Sequence, residues 1–272
     1  ARSTEVVVAA GGTQPDLQAA VDELGGPGVI LVPPGEWEFN PEGTTELTRT
    51  VVIPYSHVTL LGAGAGQTPL MRSTGGPEEK HEFILFQSPS ETEGLAWARV
   101  AGLNIVGNRA TDYHEQGVVM VNVSNFRIDH CRFEDLKQHG AQGCEASYGV
   151  VYHCTFVDIY KPGIELGYGV GSQGNSTITG TPFGAELAVY IEDGDFTGCR
   201  HAVASNLGGR YVFRHNHVSR NGSPNGIQAI DAHGHEHPAL PTTCGTEWID
   251  AYENVVEDPA AGADAFAVLI RG

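Results

Sequence analysis

The chain is 272 residues long and carries a formal net charge of −18, from 15 Lys and Arg against 33 Asp and Glu. Its lysines are Lys80, Lys137 and Lys161 alone, which argues against nucleic acid as a partner, because that binding rests on clustered basic residues. No apolar run approaches the length of about 18 residues needed to span a membrane as a helix, and the five cysteines do not form a disulfide framework.

In chain order, residues 1–10 (ARSTEVVVAA) read as an edge strand. Thr13-Gln14-Pro15-Asp16 then reads as a helix start, with Thr13 as the cap, Pro15 in the first turn and Asp16 completing a capping box. Leu17, Ala20, Val21 and Leu24 follow at helical spacing, and Gly25-Gly26 ends the helix. An amphipathic helix over 13–26 suits a cap that covers an otherwise open apolar interior. Residues 28–32, 51–53 and 58–61 are predicted strands.

Five later stretches read as copies of one another: 126–133 (FRIDHCRF), 149–156 (GVVYHCTF), 189–196 (VYIEDGDF), 211–218 (YVFRHNHV) and 249–256 (IDAYENVV). Aligned, they place Phe126, Gly149, Val189, Tyr211 and Ile249 in one column and Ile128, Val151, Ile191, Phe213 and Ala251 in a second. A third holds Cys131, Cys154, Gly194, Asn216 and Asn254, and the last holds Phe133, Phe156, Phe196, Val218 and Val256. Apolar positions two apart, a polar step, then apolar positions two apart again describe a strand bent at a corner. The third column recurs at spacings of 23, 40, 22 and 38 residues, the mark of a solenoid whose wide rungs are either doubled or enlarged. The expected fold is all-β, a single-stranded right-handed parallel β-helix forming one domain over 1–272. Cys131 and Cys154 then stack on adjacent rungs, as a disulfide or as two buried thiols. Gly-, Ser- and Pro-rich segments at 163–181 and 221–246 are expected loop insertions that wall a groove.

The run TQPDLQAAVDELGGPGVILVPPGEWEF, then VVIPYSHVTLLGAG, then rungs such as FRIDHCRF, resembles the pectate-lyase-like superfamily of right-handed parallel β-helix proteins. Hydrolases, lyases, epimerases and phage adhesins share that fold, so the resemblance implies architecture more than activity. HCRFEDLKQHG is similar to a stretch of the alginate lyase and chondroitinase B group, and by that resemblance Lys137 is a candidate base. The group's downstream arginine motif is met only by Leu269-Ile270-Arg271-Gly272, without its histidine.

The residues themselves offer two constellations. His130, His153, Asp193, His215 and Glu253 precede the third column and form a titratable edge, suited to a base or a metal, or else polar because a corner requires it. Further on lie Arg200, His201, Arg210, Arg214, His217 and Asp231, followed by His233, His235 and His237. Alternation turns Tyr211 and Phe213 inward and Arg210 and Arg214 outward, where guanidinium groups suit a sugar carboxylate. His233, His235 and His237 share one face of an extended segment and fit a divalent metal, calcium or a first-row ion. A bound cation or a local arginine cluster would also reverse the acidic field toward an anionic glycan.

The expectation is an exported, secreted or cell-surface protein that cleaves a uronate-containing polysaccharide by β-elimination. Its base is His201 or His215, its clamp Arg210 and Arg214, and its orienting groups Asp193 and Asp231. Arg200, His217 and Tyr190 bind substrate. Two other readings stay open: a glycoside hydrolase pairing Asp193 with Asp231, and a non-catalytic carbohydrate-binding or structural protein. Residues 266–272 read as another rung without a cap, which allows end-to-end association.

Overall fold

The computed structural model describes residues 4–39, 50–63, 69–73, 80–90, 93–108, 114–160, 167–174, 187–219, 229–234, 245–257 and 268–270. Its strands fall into three parallel sheets that each coil visits in turn. Every one of the five repeats supplies a first-sheet strand, turns a corner, and supplies a second-sheet strand. The register is the one read from the sequence: Phe126 lies opposite Gly149, then Val189, Tyr211 and Ile249. On the second sheet Phe133, Phe156, Phe196, Val218 and Val256 align. An earlier rung joins them, with Val100 opposite Ile128 and Ile105 opposite Phe133.

The corner itself explains its polar column. His130, His153, Asp193, His215 and Glu253 all have left-handed backbones, with φ between 50° and 57°. That conformation costs most L-residues about 1–2 kcal/mol and is least costly for Gly, Asn, Asp and His. In the rung at Arg99–Val106 the same position is Gly102, φ 66°, which conceals that rung from a search for polar corners. The residue after each corner points inward. There the Asn216 amide donates to Ile191 O at 2.9 Å and its oxygen accepts from Gly194 N at 2.9 Å, while Asn254 Nδ2 donates to Phe213 O at 2.8 Å. Cys131 and Cys154 occupy the same column as buried free thiols. Burial and the neighbouring Cys131 push the Cys154 thiol up.

Below the corner the phenyl rings of Phe133, Phe156 and Phe196 stack, at 5.0 Å and then 4.6 Å between centroids. The helix Gln14–Leu24 covers the first coil through buried Leu17, Ala20, Val21 and Leu24. Its capping box forms, the Asp16 carboxylate accepting from Gly12 N and Thr13 N at 3.0 Å and from Thr13 Oγ1 at 2.6 Å.

The expected insertions at 163–181 and 221–246 are not loops throughout. Each contains a third-sheet strand, Tyr168–Gln173 and Ile230–Ala232. Because Thr155–Val157 pairs directly with Asp195–Thr197, and His217–Ser219 with Val255–Glu257, no rung intervenes. The wide rungs are therefore enlarged coils rather than doubled ones, and their extra residues fall in the connections on either side of the third sheet.

Candidate functional site

Glycines decide which way the third sheet faces. A Cβ on Gly117, Gly140 or Gly169 would fall within 2.6 Å of the Phe133, Phe156 and Phe196 rings respectively, so these positions face the core. Their neighbours Gln116, His139, Tyr168 and His201 therefore face outward. A bulge follows, in which Ala202 and Val203 N–H both donate to Ala229 O at 2.8 and 3.2 Å, and this returns Val203 to the core.

The outward positions form a polar ladder over five rungs, Glu82, Gln116, His139, Tyr168 and His201 in register. Gln116 Nε2 donates to Glu82 Oε1 at 3.1 Å, and His139 Nδ1 lies 2.9 Å from Gln116 Oε1. The Tyr168 ring lies between two imidazoles, 5.0 Å from His139 and 5.5 Å from His201, the latter parallel within 6°. Arg200 Nη1 donates to the Tyr168 hydroxyl at 3.3 Å, with its guanidinium 5.7 Å from the ring centroid. Asp231 shares this face: a Cβ at Gly171, in the same outer column, would press on the His139 ring at 2.5 Å. Its Oδ2 lies 3.5 Å from His201 Nε2 and 3.8 Å from His233 Nε2.

Although outward in register, most of this ladder is shielded. His201 and Asp231 are 0% exposed, and Lys137, two residues before His139, is buried, as are Arg200 and His139. Tyr168 is part-exposed and is the ladder group nearest to solvent reach at its centre. Clustered titratable groups held away from bulk water are the setting in which side chains acquire acid–base function.

The structure divides the expected site among three faces. Arg200, His201, Asp231 and His233 lie on the third sheet. Arg210, Arg214 and Tyr190 lie on the outer face of the first, where the two arginines are held by carboxylates. Arg210 Nε donates to Glu247 Oε2 at 2.7 Å; Arg214 Nε donates to Glu192 Oε1 and its Nη1 to the Tyr252 hydroxyl, at 2.8 and 2.7 Å. Those bonds, the Tyr252 one foremost, raise the Arg214 pKa. Asp193 and His215 are corner residues, and His215 Nδ1 lies 3.1 Å from Glu253 Oε2. His217 belongs to the second sheet, between Asp195 at 3.7 Å and Glu257 at 3.3 Å. The arginine clamp, the corner base and the Asp193–Asp231 pair thus do not converge on His201, because neighbouring residues across a corner belong to different sheets. His235, His237 and Arg271 lie outside the described residues. Among the described residues, no group of three His, Cys, Asp or Glu is arranged to hold a metal.

Gln116, His139 and Tyr168 carry a signal that the repeat alignment did not use. Each precedes a glycine that faces the phenyl stack, as Gln116-Gly117, His139-Gly140 and Tyr168-Gly169, and His201-Ala202 continues the series.

Residues 85–190 match the family model described as the right handed beta helix region. No curated protein sequence matches the chain. Among solved structures, an alginate lyase from Paenibacillus sp. str. FPU-7 is 12% identical, with a TM-score of 0.57 over 97% of this chain and 98% of its own. The ORF18 protein of Geobacillus virus E2 is 14% identical with the same TM-score of 0.57 over 93% of this chain, which spans 48% of that protein's length. With three parallel sheets, one-residue left-handed corners and a capping helix, the chain folds as a right-handed parallel β-helix.

Proposed function

We propose that the protein is a polysaccharide lyase that cleaves a uronate-containing glycan on the outer face of the third sheet. The observation that carries this reading is the placement of Tyr168 between His139 and His201, with its hydroxyl held by Arg200. The alginate lyase that shares the fold over nearly its whole length supports an acidic glycan as the substrate class.

β-Elimination at a uronate needs its carboxylate neutralised, its C5 proton removed and its C4 oxygen released. Arg200, beside the Tyr168 hydroxyl, supplies positive charge on this face. Tyr168, its hydroxyl oxygen held by Arg200 Nη1, acts in deprotonated form and takes the C5 proton. The C5–H electrons form the C4=C5 double bond, the C4–O bond breaks, and the departing oxygen recovers the proton from Tyr168. The flanking imidazoles fix the phenol ring, and Asp231 fixes His201 from behind. A hydrolase would need two carboxylates facing one glycosidic bond. Asp193 at the corner and Asp231 on the third sheet do not offer that pair.

The test is turnover on a panel of uronic-acid polysaccharides, followed by ultraviolet absorbance of the unsaturated product. Product that is lost in Tyr168→Phe, with the fold intact by circular dichroism, supports the reading. Reducing ends released without absorbance, or full activity in that variant, would overturn it.

A further inference from the structure

The outer face of the first sheet carries a second arrangement that the proposed reaction does not use. A groove of about 730 Å³ runs along it, lined by Trp97, Arg99, Arg127, Tyr148 and Tyr190 among others. Next to the groove, behind its two arginines, Asp129 is almost fully buried and holds both guanidinium groups. Arg99 Nε and Nη2 donate to its two oxygens at 2.8 and 2.9 Å, and Arg127 Nε donates to Oδ1 at 2.8 Å. Two positive groups thus share one carboxylate, so this cluster of three carries a net positive charge in a chain of net −18.

The shared carboxylate also orients what remains. Arg99 Nη1 and both Nη atoms of Arg127 have no hydrogen-bond partner among the described residues, and the two side chains stay 42% and 45% exposed. Guanidinium nitrogens fixed in place and open to solvent are suited to a second, external carboxylate. Aromatic surface adjoins them. Trp97 is 58% exposed, held at φ 60° and stacked on His57 at 6.5 Å between centroids. A bulky side chain at positive φ is a strained placement that surrounding structure must maintain. Tyr148 and Tyr190 line the same groove with part of their rings accessible.

We propose that this groove is a second, non-catalytic site for a carboxylate-bearing sugar chain. Arg99 and Arg127 read the carboxylate, while Trp97, Tyr148 and Tyr190 cover the apolar faces of the sugar rings. The arginines and aromatic rings ask for an anionic sugar, and the choice of a uronate rests on the reaction proposed above. The site lies on a different sheet from the Tyr168 ladder, so it would hold the polymer rather than cut it.

The experiment is titration calorimetry on the full chain carrying Tyr168→Phe, so that the probe is not consumed. Oligogalacturonate and oligomannuronate are the probes, and a neutral dextran oligosaccharide is the control. Arg127→Gln leaves Asp129 its two bonds from Arg99, and Trp97→Ala removes only surface aromatic contact. Each is expected to weaken binding about tenfold or more, the loss anticipated for one charge-assisted hydrogen bond or one sugar–aromatic contact. Added salt should weaken the unmodified groove and affect Arg127→Gln less. Unchanged affinity in both variants, or equal binding of the neutral control, would overturn the proposal. Acidic-glycan binding that depends on Arg127 in a protein without lyase activity would retain this site and remove the proposed reaction. Turnover with binding indifferent to both variants would do the reverse.

Discussion

His201 and His215 are chemically identical and only fourteen residues apart, yet the fold gives them opposite environments. His201 is 0% exposed on the third sheet, facing a carboxylate that is also 0% exposed. His215 is 45% exposed at a corner, beside a Glu253 that is 68% exposed. A surface ion pair of that kind is worth about 0–1 kcal/mol and is screened by salt, whereas a shielded cluster gains strength from low local dielectric. A residue type therefore says little about chemistry until the sheet it belongs to is known. In this fold the corner selects side chains for backbone conformation, and the third-sheet face leaves side chains free to be selected for chemistry.

The largest expected effect sharpens that contrast. Tyr168→Phe deletes one hydroxyl and keeps the stacked ring, so turnover of the uronate polymer should fall about 10²–10⁴-fold, the range for loss of a proton-transfer group. His153→Ala with His215→Ala should leave turnover unchanged, as read by product absorbance. A comparable loss in the double corner variant would erase the distinction between the two faces.

Next in size is the inner side of the corner. Asn216→Ala removes the acceptor for Gly194 N–H and the donors to Ile191 O and to Asn254. Stranding buried backbone groups costs about 1–3 kcal/mol each in general. Denaturant unfolding should show a loss of about 2 kcal/mol, while His215→Ala, one residue earlier, should fall within about 0.5 kcal/mol of the parent. Equal losses would mean that the corner histidine, too, holds the rung together.

Acid stability probes the first sheet. Burial works to raise the Asp129 pKa, but hydrogen bonds from Arg99 and His130 and the charges of Arg99 and Arg127 outweigh it, so the carboxyl titrates below its ordinary value of 3.8. Its contribution to stability is then fully present above that ordinary value and is lost as pH falls through the folded-state pKa. Melting temperature should therefore drop more steeply below about pH 4 in the parent than in Asp129→Asn. Parallel acid limbs would show that the arginines are not held by that carboxylate.

How much of this was legible follows from the spacing of the chain. The first and second sheets were read in correct register because each repeat keeps a fixed eight-residue path around a one-residue corner. The third sheet was not, because its outward residues Gln116, His139, Tyr168 and His201 recur at 23, 29 and 33 residues. The connections on either side of that sheet vary in length, so alignment on the corner moves its strands out of phase. His201 and Asp231 were singled out by residue type, and the bulge at Ala202 and Val203 that brings both to one face leaves no periodic trace. Arg210 and Arg214 were correctly turned outward, but their partners Glu247 and Glu192 lie on neighbouring rungs that only the register reveals.

The smallest expected effect tests whether the corner is chosen for its backbone. If His215 is retained for titration, glycine and valine should be equally harmful there. If φ 57° is the requirement, they should differ in sign of strain. Glycine adopts that conformation freely and loses only unfolded-state entropy, so His215→Gly should stay within about 0.5 kcal/mol of the parent. Valine is β-branched and pays for the left-handed region, so His215→Val should cost about 1–2 kcal/mol by the same denaturant measurement. A valine variant as stable as the glycine one would mean that the corner relaxes. The recurrence of His, Asp and Glu there would then need a reason in charge, through the His215–Glu253 and His153–Asp193 contacts, and the salt dependence of stability would be the place to find it.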